Sequence, residues 1–184
     1  MAFLENRKIY GSLPEEMLKL FSHNIDVDRI NNEMLAKIPG EKKTFAMTSR
    51  GQHGLVEALK RGCLSPDTLS LKVAAKVMFT KNNLKEGFVN GTMGRVLKFG
   101  AEGYPVVETK SGRKIEVTPM EWIVEENGQT RASIAQLPLR LAWAITVHKS
   151  QGMNLDEAVM DLSGVFEYGQ GYVALSRVRS LSGL

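Results

Sequence analysis

Residues 138–162 read PLRLAWAITVHKSQGMNLDEAVMDL, and this stretch indicates how the chain folds. Pro138 suits the first turn of a helix, where its missing N–H leaves no hydrogen bond unmade. The LRLAWAITV run that follows is apolar on nearly every side, which predicts a buried helix that turns polar and stops at Gly152. Residues 158–160 are typical of a short buried strand, and 168–178 of a second helix. Buried strands that alternate with helices predict an α/β fold with a parallel sheet.

The amino-terminal part of the chain also shows a helical period. We expect 1–22 to form a short helical lead-in. Asn24 or Asp26 can cap the next helix through its side-chain oxygen. One helical face then carries apolar side chains, and Pro39-Gly40 ends the helix. These side chains are Val27, Ile30, Met34, Leu35 and Ile38.

Between 44 and 79 the pattern changes from strand to helix and back to strand. Residues 44–48 favour a strand, and 55–59 a short helix that Gly62 closes. From Leu69 to Phe79 apolar and polar residues alternate, which predicts one strand with a mostly polar face. Lys72 and Lys76 lie on that face.

From Gly87 to about Gln136 short β-type runs are separated by turn signals, and no helical period is present. The turn signals are NGTMG at 90–94, KSGR at 110–113 and Asn-Gly at 127–128. Asn-Gly is a strong hairpin signal because both residues tolerate positive φ. We therefore predict a small antiparallel β-barrel inserted into a larger α/β domain.

Composition limits the classes of protein to consider. The chain has 184 residues, of which 43% are hydrophobic and 24% charged, so it can build a real core. The longest apolar run is far too short to span a bilayer, and the first residues do not resemble a signal peptide. We expect a soluble cytoplasmic protein that does not associate with a membrane.

The residues that commonly bind metals give no support for a metal site. Cys63 is the only cysteine, which excludes an internal disulfide framework and a multi-cysteine zinc site, and the three histidines are scattered. Asp161 ends a predicted strand, but Leu162 follows it, so the Asp-Glu pair that would hold magnesium is absent. We predict no protein-bound metal.

The net charge of +4 is unevenly distributed. Between 60 and 98 eight basic side chains stand against two acidic ones, which suits a polyanionic partner. An ordinary solvated face is the alternative interpretation. The eight are Lys60, Arg61, Lys72, Lys76, Lys81, Lys85, Arg95 and Lys98.

Two well-known catalytic motifs are absent from the sequence. A phosphate-binding G-x-x-x-x-G-K-[ST] loop ending at Lys149-Ser150 would need glycines at 143 and 148, where the chain has Trp143 and His148. No G-x-S-x-G nucleophile elbow is present either.

Two short segments nevertheless concentrate groups that suit phosphate oxygens. TVHKSQG at 146–152 combines hydroxyls, an imidazole, an ammonium and an amide, and SRVR at 176–179 places two arginines close together. A solvated helix end is the alternative interpretation of each.

These segments resemble motifs of a known family. PLRLAWAITVHKSQGMNLDEAVMDL and GYVALSRVRSLSGL (171–184) are similar to motifs V and VI of superfamily-one helicases, and TVHKSQG is similar to the string that RecD and TraA helicases carry. The fuller pattern looks still closer to bacterial helicases of the petite-integration-frequency (Pif) type. It includes HNIDVDRINNEMLAKIPGE (23–41), LSLKVAAKVMFTKNN (69–83) and GFVNGTMGRV (87–96). The resemblance runs from about residue 20 to the end, with its motifs in the family's order.

The resemblance implies a fold and domain boundaries. Residues 1–85 and 137–184 would form a second RecA-like helicase domain, a parallel sheet flanked by helices. Residues 86–136 would form an SH3-like barrel inserted into it.

The resemblance also implies roles for individual residues. Arg177 would reach the γ-phosphate of ATP across a cleft, as a catalytic and nucleotide-binding residue. Gln151 and Gly152 would line the nucleotide site. A further set would contact single-stranded DNA: Asn24, Lys81, Asn82, Thr146, His148, Lys149 and Ser150.

At the level of the whole protein, the resemblance implies half of an ATP-dependent DNA helicase that translocates 5′ to 3′. ATP and Mg²⁺ would be bound mainly by a first RecA-like domain that this sequence lacks, so we expect the chain alone to be inactive as an ATPase. Its partners would be single-stranded DNA, duplex junctions and that amino-terminal domain, in the bacterial nucleoid.

Two alternatives remain open at this stage. One is a stand-alone, non-catalytic module that binds single-stranded nucleic acid. The other is a helicase segment of a RecD-type nuclease or a TraA-type relaxase. A P-loop elsewhere in the parent chain would favour the motor over the module.

Overall fold

The computed structural model describes residues 18–21, 24–150, 158–160, 169, 172 and 175–178, with only the backbone described at 24–26. These residues divide into two compact units. The first unit contains the described residues up to Met34 and from Ala142 onward, and the second contains Leu35–Leu141.

The described part of the chain is mostly β-structure. Its helices are α1 (Asn24–Lys37) and α2 (His53–Gly62), and a 3₁₀ turn spans His148–Ser150. The strands up to residue 80 are β1 (Lys19–Phe21), β2 (Lys43–Ala46), β3 (Thr48–Gly51), β4 (Thr68–Leu71) and β5 (Lys76–Phe79). Those that follow are β6 (Met93–Phe99), β7 (Pro105–Thr109), β8 (Lys114–Glu116), β9 (Met120–Glu126), β10 (Gln129–Gln136), β11 (Leu139–Leu141), β12 (Ala144–Thr146) and β13 (Val159–Met160).

The first unit contains the parallel sheet that the sequence predicts. Its strands lie in the order β12-β1-β13, and both pairings with the central strand β1 are parallel. Leu20 and Ile145 are fully buried in it. The short strand predicted at 158–160 is confirmed as β13.

Two predictions for this unit and the strand that leads into it are wrong. The lead-in is not helical at its end, because Lys19–Phe21 is the central strand of the sheet. The buried helix predicted after Pro138 is instead β11, β12 and the 3₁₀ turn. The cause is physical: a strand buried on both faces reads as a continuous apolar run, just as a buried helix does.

Helix α1 agrees with its prediction in both type and position. Val27 and Leu35 are buried on its apolar face, and the helix ends just before Pro39-Gly40. Gly40 has φ of 99°, a conformation that glycine adopts without a steric penalty.

The second unit is built from antiparallel sheets. The largest has the order β11-β5-β6-β7-β8, a second has the order β3-β10-β9, and β2 pairs with β4. Helix α2 agrees with the predicted short helix and packs Val56 against Ala132 and Ile134 of β10. The hairpin predicted at Asn127-Gly128 is confirmed between β9 and β10, with φ of 53° and 73° at the two turn residues.

Two details of this unit depart from expectation. The single strand predicted over 69–79 is two strands, because the backbone turns at Ala74, where φ is 71°. The strands of 86–136 also do not close on themselves. β6, β7 and β8 extend a sheet that contains β5 and β11, and β10 pairs with β3, so the described residues hold open sheets and no closed barrel.

Candidate nucleic-acid interface

The carboxyl ends of β1 and β12 lie side by side in the first unit. Phe21 is in register with Thr146, and the backbone N–H of Val147 donates a hydrogen bond to the Phe21 carbonyl at 3.0 Å. In open α/β sheets, ligands bind at this carboxyl edge. Two predicted DNA-contacting segments follow these strands: Asn24, the first residue of α1, follows β1, and the 146–150 segment follows β12.

The turn after β12 is held by its own hydroxyl groups. The Thr146 side-chain oxygen accepts a hydrogen bond from the Lys149 backbone N–H at 3.3 Å. The Ser150 hydroxyl donates to the Val147 carbonyl at 2.7 Å. Thr146 and Ser150 are buried, whereas His148 is exposed and Lys149 is half-exposed. Thr146 and Ser150 therefore stabilise the turn, whereas His148 and Lys149 are the more exposed residues of the segment.

Asn31 on α1 supports the amino-terminal end of β12 and is not among the residues predicted from the sequence. Its side chain is buried and hydrogen-bonds the backbone of Trp143 and Ala144 at the start of β12. The sequence did contain a signal, since Asn31 is a polar residue between Val27 and Leu35 on the apolar face of the helix.

Lys81, a predicted DNA contact, is engaged by the protein itself. Its ammonium donates to the backbone carbonyl of Glu121 and lies 4.5 Å from the centroid of the Trp122 ring. Burial lowers the pKa of Lys81, while nearby Cys63 and Glu121 act in the opposite direction. The lysine thus joins the segment after β5 to β9, in the second unit.

Asn82 closes the loop that begins at Lys81. Its side-chain oxygen accepts a hydrogen bond from the Asn90 backbone N–H at 2.7 Å, and the residue is otherwise exposed. Lys81 and Asn82 belong to the second unit, whereas Asn24 and the 146–150 turn belong to the first.

Several lysines of the basic stretch at 60–98 already have partners within the protein. Lys60 lies 3.4 Å from a Glu57 carboxylate oxygen and 3.5 Å from one of Asp67. The hydrogen bond to Glu57 is the main reason that the pKa of Lys60 is raised. Lys72 donates to the Ile38 carbonyl at 2.6 Å. These contacts favour the structural interpretation of the stretch over a continuous surface for a polyanion.

A groove of about 330 Å³ crosses the open face of the β3-β10-β9 sheet. Arg50, Arg131 and Ser133 line it together with Glu121 and Ile123. Arg131 also lies 3.2 Å from a carboxylate oxygen of Glu126, on the neighbouring strand. Because Glu121 lines the groove and Glu126 is paired with Arg131, the groove lacks the single sign of charge that would select a phosphate backbone.

The residues predicted to handle nucleotide are only partly covered by the structure. Arg177 is half-buried, and its guanidinium donates a hydrogen bond to the Ser176 hydroxyl at 2.9 Å. Gln151 and Gly152 lie outside the described residues. Within the described ranges no three His, Cys, Asp or Glu side chains cluster to hold a metal ion. Those ranges also contain no helix that is both long and apolar enough to cross a membrane.

Comparison with known sequences finds similarity to Pif1 DNA helicases, both by family model and by individual relatives. Residues 54–99 match the model of the 2B domain of the DNA helicase Pif1. The chain is 39% identical over 235 residues to the ATP-dependent DNA helicase Pif1 of Psychrobacter, covering 100% of this chain and 36% of that protein. It is 42% identical over 170 residues to the human ATP-dependent DNA helicase PIF1, covering 90% and 26%.

Solved structures give the same result. Unliganded Pif1 from Bacteroides matches with a TM-score of 0.78 at 31% identity, over 91% of this chain and 39% of that one. Bacteroides Pif1 bound to single-stranded DNA matches with a TM-score of 0.68 at 30% identity, over 96% and 41%. The chain therefore spans between 26% and 41% of the length of these four relatives.

Proposed function

We propose that this chain, which belongs to the Pif1 helicase family, supplies the second RecA-like domain of an ATP-dependent DNA helicase that unwinds duplex DNA. Its parallel β12-β1-β13 sheet would be the core of that domain, with 86–136 as an inserted module. The Psychrobacter and human relatives are named ATP-dependent DNA helicases. Among the alternatives that the sequence leaves open, the motor is therefore the one that these relatives favour.

 

The carboxyl edge of the parallel sheet carries this proposal. His148 is exposed and Lys149 is half-exposed just after β12, and α1 begins just after the adjacent strand. Imidazole and ammonium groups bind phosphate oxygens and fix the register of a nucleic-acid backbone without reading its sequence. We infer that Asn24, His148 and Lys149 contact single-stranded DNA there. The buried Thr146 and Ser150 would serve by holding the turn in shape.

Lys81 and Asn82 would form a second contact, on the other unit. The cation of Lys81 is fixed by Glu121 and Trp122, and exposed Asn82 follows it directly. Solved structures of Pif1 helicases concern unwinding at forked duplex DNA and binding to single-stranded DNA. The same partners are proposed for this chain, with translocation from 5′ to 3′.

The nucleotide chemistry would be shared with a first RecA-like domain. A guanidinium suits phosphate, so Arg177 fits the proposed role at the γ-phosphate, with Gln151 and Gly152 beside it. When bound, Mg²⁺ neutralises charge on the phosphates. ATP and Mg²⁺ would be held mainly by that first domain, with Arg177 completing the site from this chain.

The test of DNA binding is fluorescence anisotropy of a labelled oligothymidine of about 20 nucleotides, titrated at low and high salt. Each phosphate contact adds about 0.7 to the slope of log affinity against log salt for a single strand. We therefore expect binding that weakens about sevenfold, for two contacts, when salt rises from about 50 to about 200 mM. The double variant His148→Ala, Lys149→Ala should bind more weakly and show a shallower slope.

A matched control removes the same side-chain types elsewhere. His53 and Lys42 are both exposed and belong to the second unit, so His53→Ala, Lys42→Ala should leave affinity and slope unchanged. Equal losses in the two double variants would mean that binding follows net charge alone. That result, or no binding by the unmodified chain, would contradict the proposed DNA contact.

A further inference from the structure

The Asn31 side chain makes three hydrogen bonds to one short backbone segment. Its amide nitrogen donates to the Ala144 carbonyl at 2.9 Å. Its amide oxygen accepts from the backbone N–H groups of Trp143 and Ala144, both at 3.1 Å. Asn31 is only 6% exposed, so these bonds form in a buried setting where an unmade one is costly.

Two of these bonds, both to Ala144, satisfy the side of β12 that faces away from β1. The Trp143 carbonyl and the Val147 N–H bond to β1, through Lys19 and Phe21. Because successive residues of a strand point their backbone groups to opposite sides, the N–H and C=O of Ala144 point away from β1. In the described part of the sheet β12 is an outer strand. The Asn31 amide therefore stands in for one residue of a neighbouring strand.

This amide connects the two segments that reach the carboxyl edge. Asn31 lies about two helical turns after Asn24, where α1 begins. It bonds to β12 two residues before Thr146, whose hydroxyl holds the turn at Lys149. One side chain thus ties the helix to the strand from which the turn emerges.

We propose that Asn31 is a positioning residue that fixes the 146–150 turn relative to α1, so that both segments contact the same DNA strand in register. The expected effect of Asn31 on DNA binding rests on the proposed function. Its effect on the 146–150 turn can be measured without DNA, so a failure of this proposal can be distinguished from a failure of the proposed function.

The first test is amide hydrogen exchange of the unmodified chain and of Asn31→Leu, which has a similar size but makes no hydrogen bonds. We expect exchange at Val147 and Ser150 to become about tenfold faster, a loss of about 1.4 kcal/mol in local opening. Exchange in β10, in the second unit, should stay unchanged. Asn32→Leu is the matched control, because Asn32 is the exposed neighbour on the same helix.

Normal protection of the turn in Asn31→Leu would overturn the proposal. Should that variant fail to fold, Asn31→Ala removes the amide without adding a charge or a branched side chain, and the same comparison applies to it. Loss of protection throughout the chain in both variants, β10 included, would also overturn it, since Asn31 would then be a general core residue.

The second test measures coupling to DNA. In the unmodified background Lys149→Ala should weaken oligothymidine binding, and in the Asn31→Leu background the same change should have less than about half that effect on the binding free energy. A residue that contributed only to stability would leave the effect of Lys149→Ala intact once both proteins are folded. Equal effects in the two backgrounds would overturn the role in positioning, whereas absent binding by the unmodified chain would instead refute the proposed function.

Discussion

At the scale of single residues, buried side-chain amides join segments that are distant in sequence. Gln136 is 2% exposed, and its amide nitrogen lies within 3.0 to 3.3 Å of the carbonyls of Phe45, Pro66 and Asp67. Its amide oxygen accepts from the Leu137 N–H at 2.8 Å. One amide therefore satisfies backbone groups at the ends of three segments of the second unit.

Replacing Gln136 with Leu should lower the free energy of unfolding by about 3 kcal/mol, because several buried backbone groups lose their partner. Urea denaturation followed by circular dichroism measures the change. Gln129, an exposed residue at the other end of β10, provides the control, and Gln129→Leu should change stability by less than about 0.5 kcal/mol. Equal stabilities of the two variants would show that the Gln136 bonds contribute little.

Residue types indicated which side chains could bind phosphate, but they did not indicate which of those side chains would be buried. Four residues carry groups that suit phosphate, and nothing in their residue types separates them: Thr146, His148, Lys149 and Ser150. The structure buries Thr146 and Ser150 and exposes His148, because hydroxyl groups close to the backbone readily bond to it. The role proposed for Asn31 depends on the packing of α1 beside β12, and this packing is a property of the tertiary structure.

At the scale of elements, the segment between β4 and β5 shows how one residue ends a predicted strand. Ala74 has φ of 71°, and its N–H bonds to the Val96 carbonyl at 2.7 Å. The Ala75 N–H bonds to the Lys72 carbonyl at 3.0 Å, which closes the turn. Alternation of apolar and polar residues continues through this turn, so the pattern alone predicts a single long strand.

Ala74→Gly should raise the free energy of unfolding by about 0.5 to 1 kcal/mol, since a left-handed conformation costs an L-residue roughly 1–2 kcal/mol that glycine avoids. Thermal denaturation measures it. The same change at the next residue is the control: Ala75 is fully buried and has no positive φ, so Ala75→Gly should lower stability. Destabilisation by Ala74→Gly would contradict the interpretation of Ala74 as a strained turn residue.

Elements with a clear local signal were predictable, and buried apolar runs were not. Helix α1 has a one-sided apolar face and a Pro-Gly stop, and the β9–β10 hairpin has Asn-Gly, so both follow from local chemistry. The run from Leu139 to Val147 is apolar throughout and holds the β-branched Ile145 and Thr146. Whether such a run forms a helix or strands depends on neighbours that the local sequence does not specify.

At the scale of the whole molecule, the order of motifs was more informative than any one of them. Bare composition indicated only a basic protein with a real core, and several lysines of its basic stretch are paired internally. The resemblance to Pif-type helicases rested on several segments in sequence. Similarity over 90% or more of the chain to the Psychrobacter and human Pif1 proteins confirms that assignment. The open sheets in place of a closed barrel were not predictable from β-content, because strands of 86–136 pair with strands outside that range.

The central claim is that this chain is half of an ATP-driven motor, and Arg177 tests it most directly. The measurement is DNA-stimulated ATP hydrolysis by a polypeptide that joins this chain to a RecA-like domain with a P-loop. Arg177→Ala should lower kcat by roughly 10³-fold, because the guanidinium would stabilise charge on the transferring phosphate, while affinity for single-stranded DNA stays unchanged. Arg61→Ala, at an exposed arginine of α2, is the control and should have full activity. Hydrolysis by Arg177→Ala at the rate of the unmodified protein would contradict the motor assignment and favour a module that only binds nucleic acid.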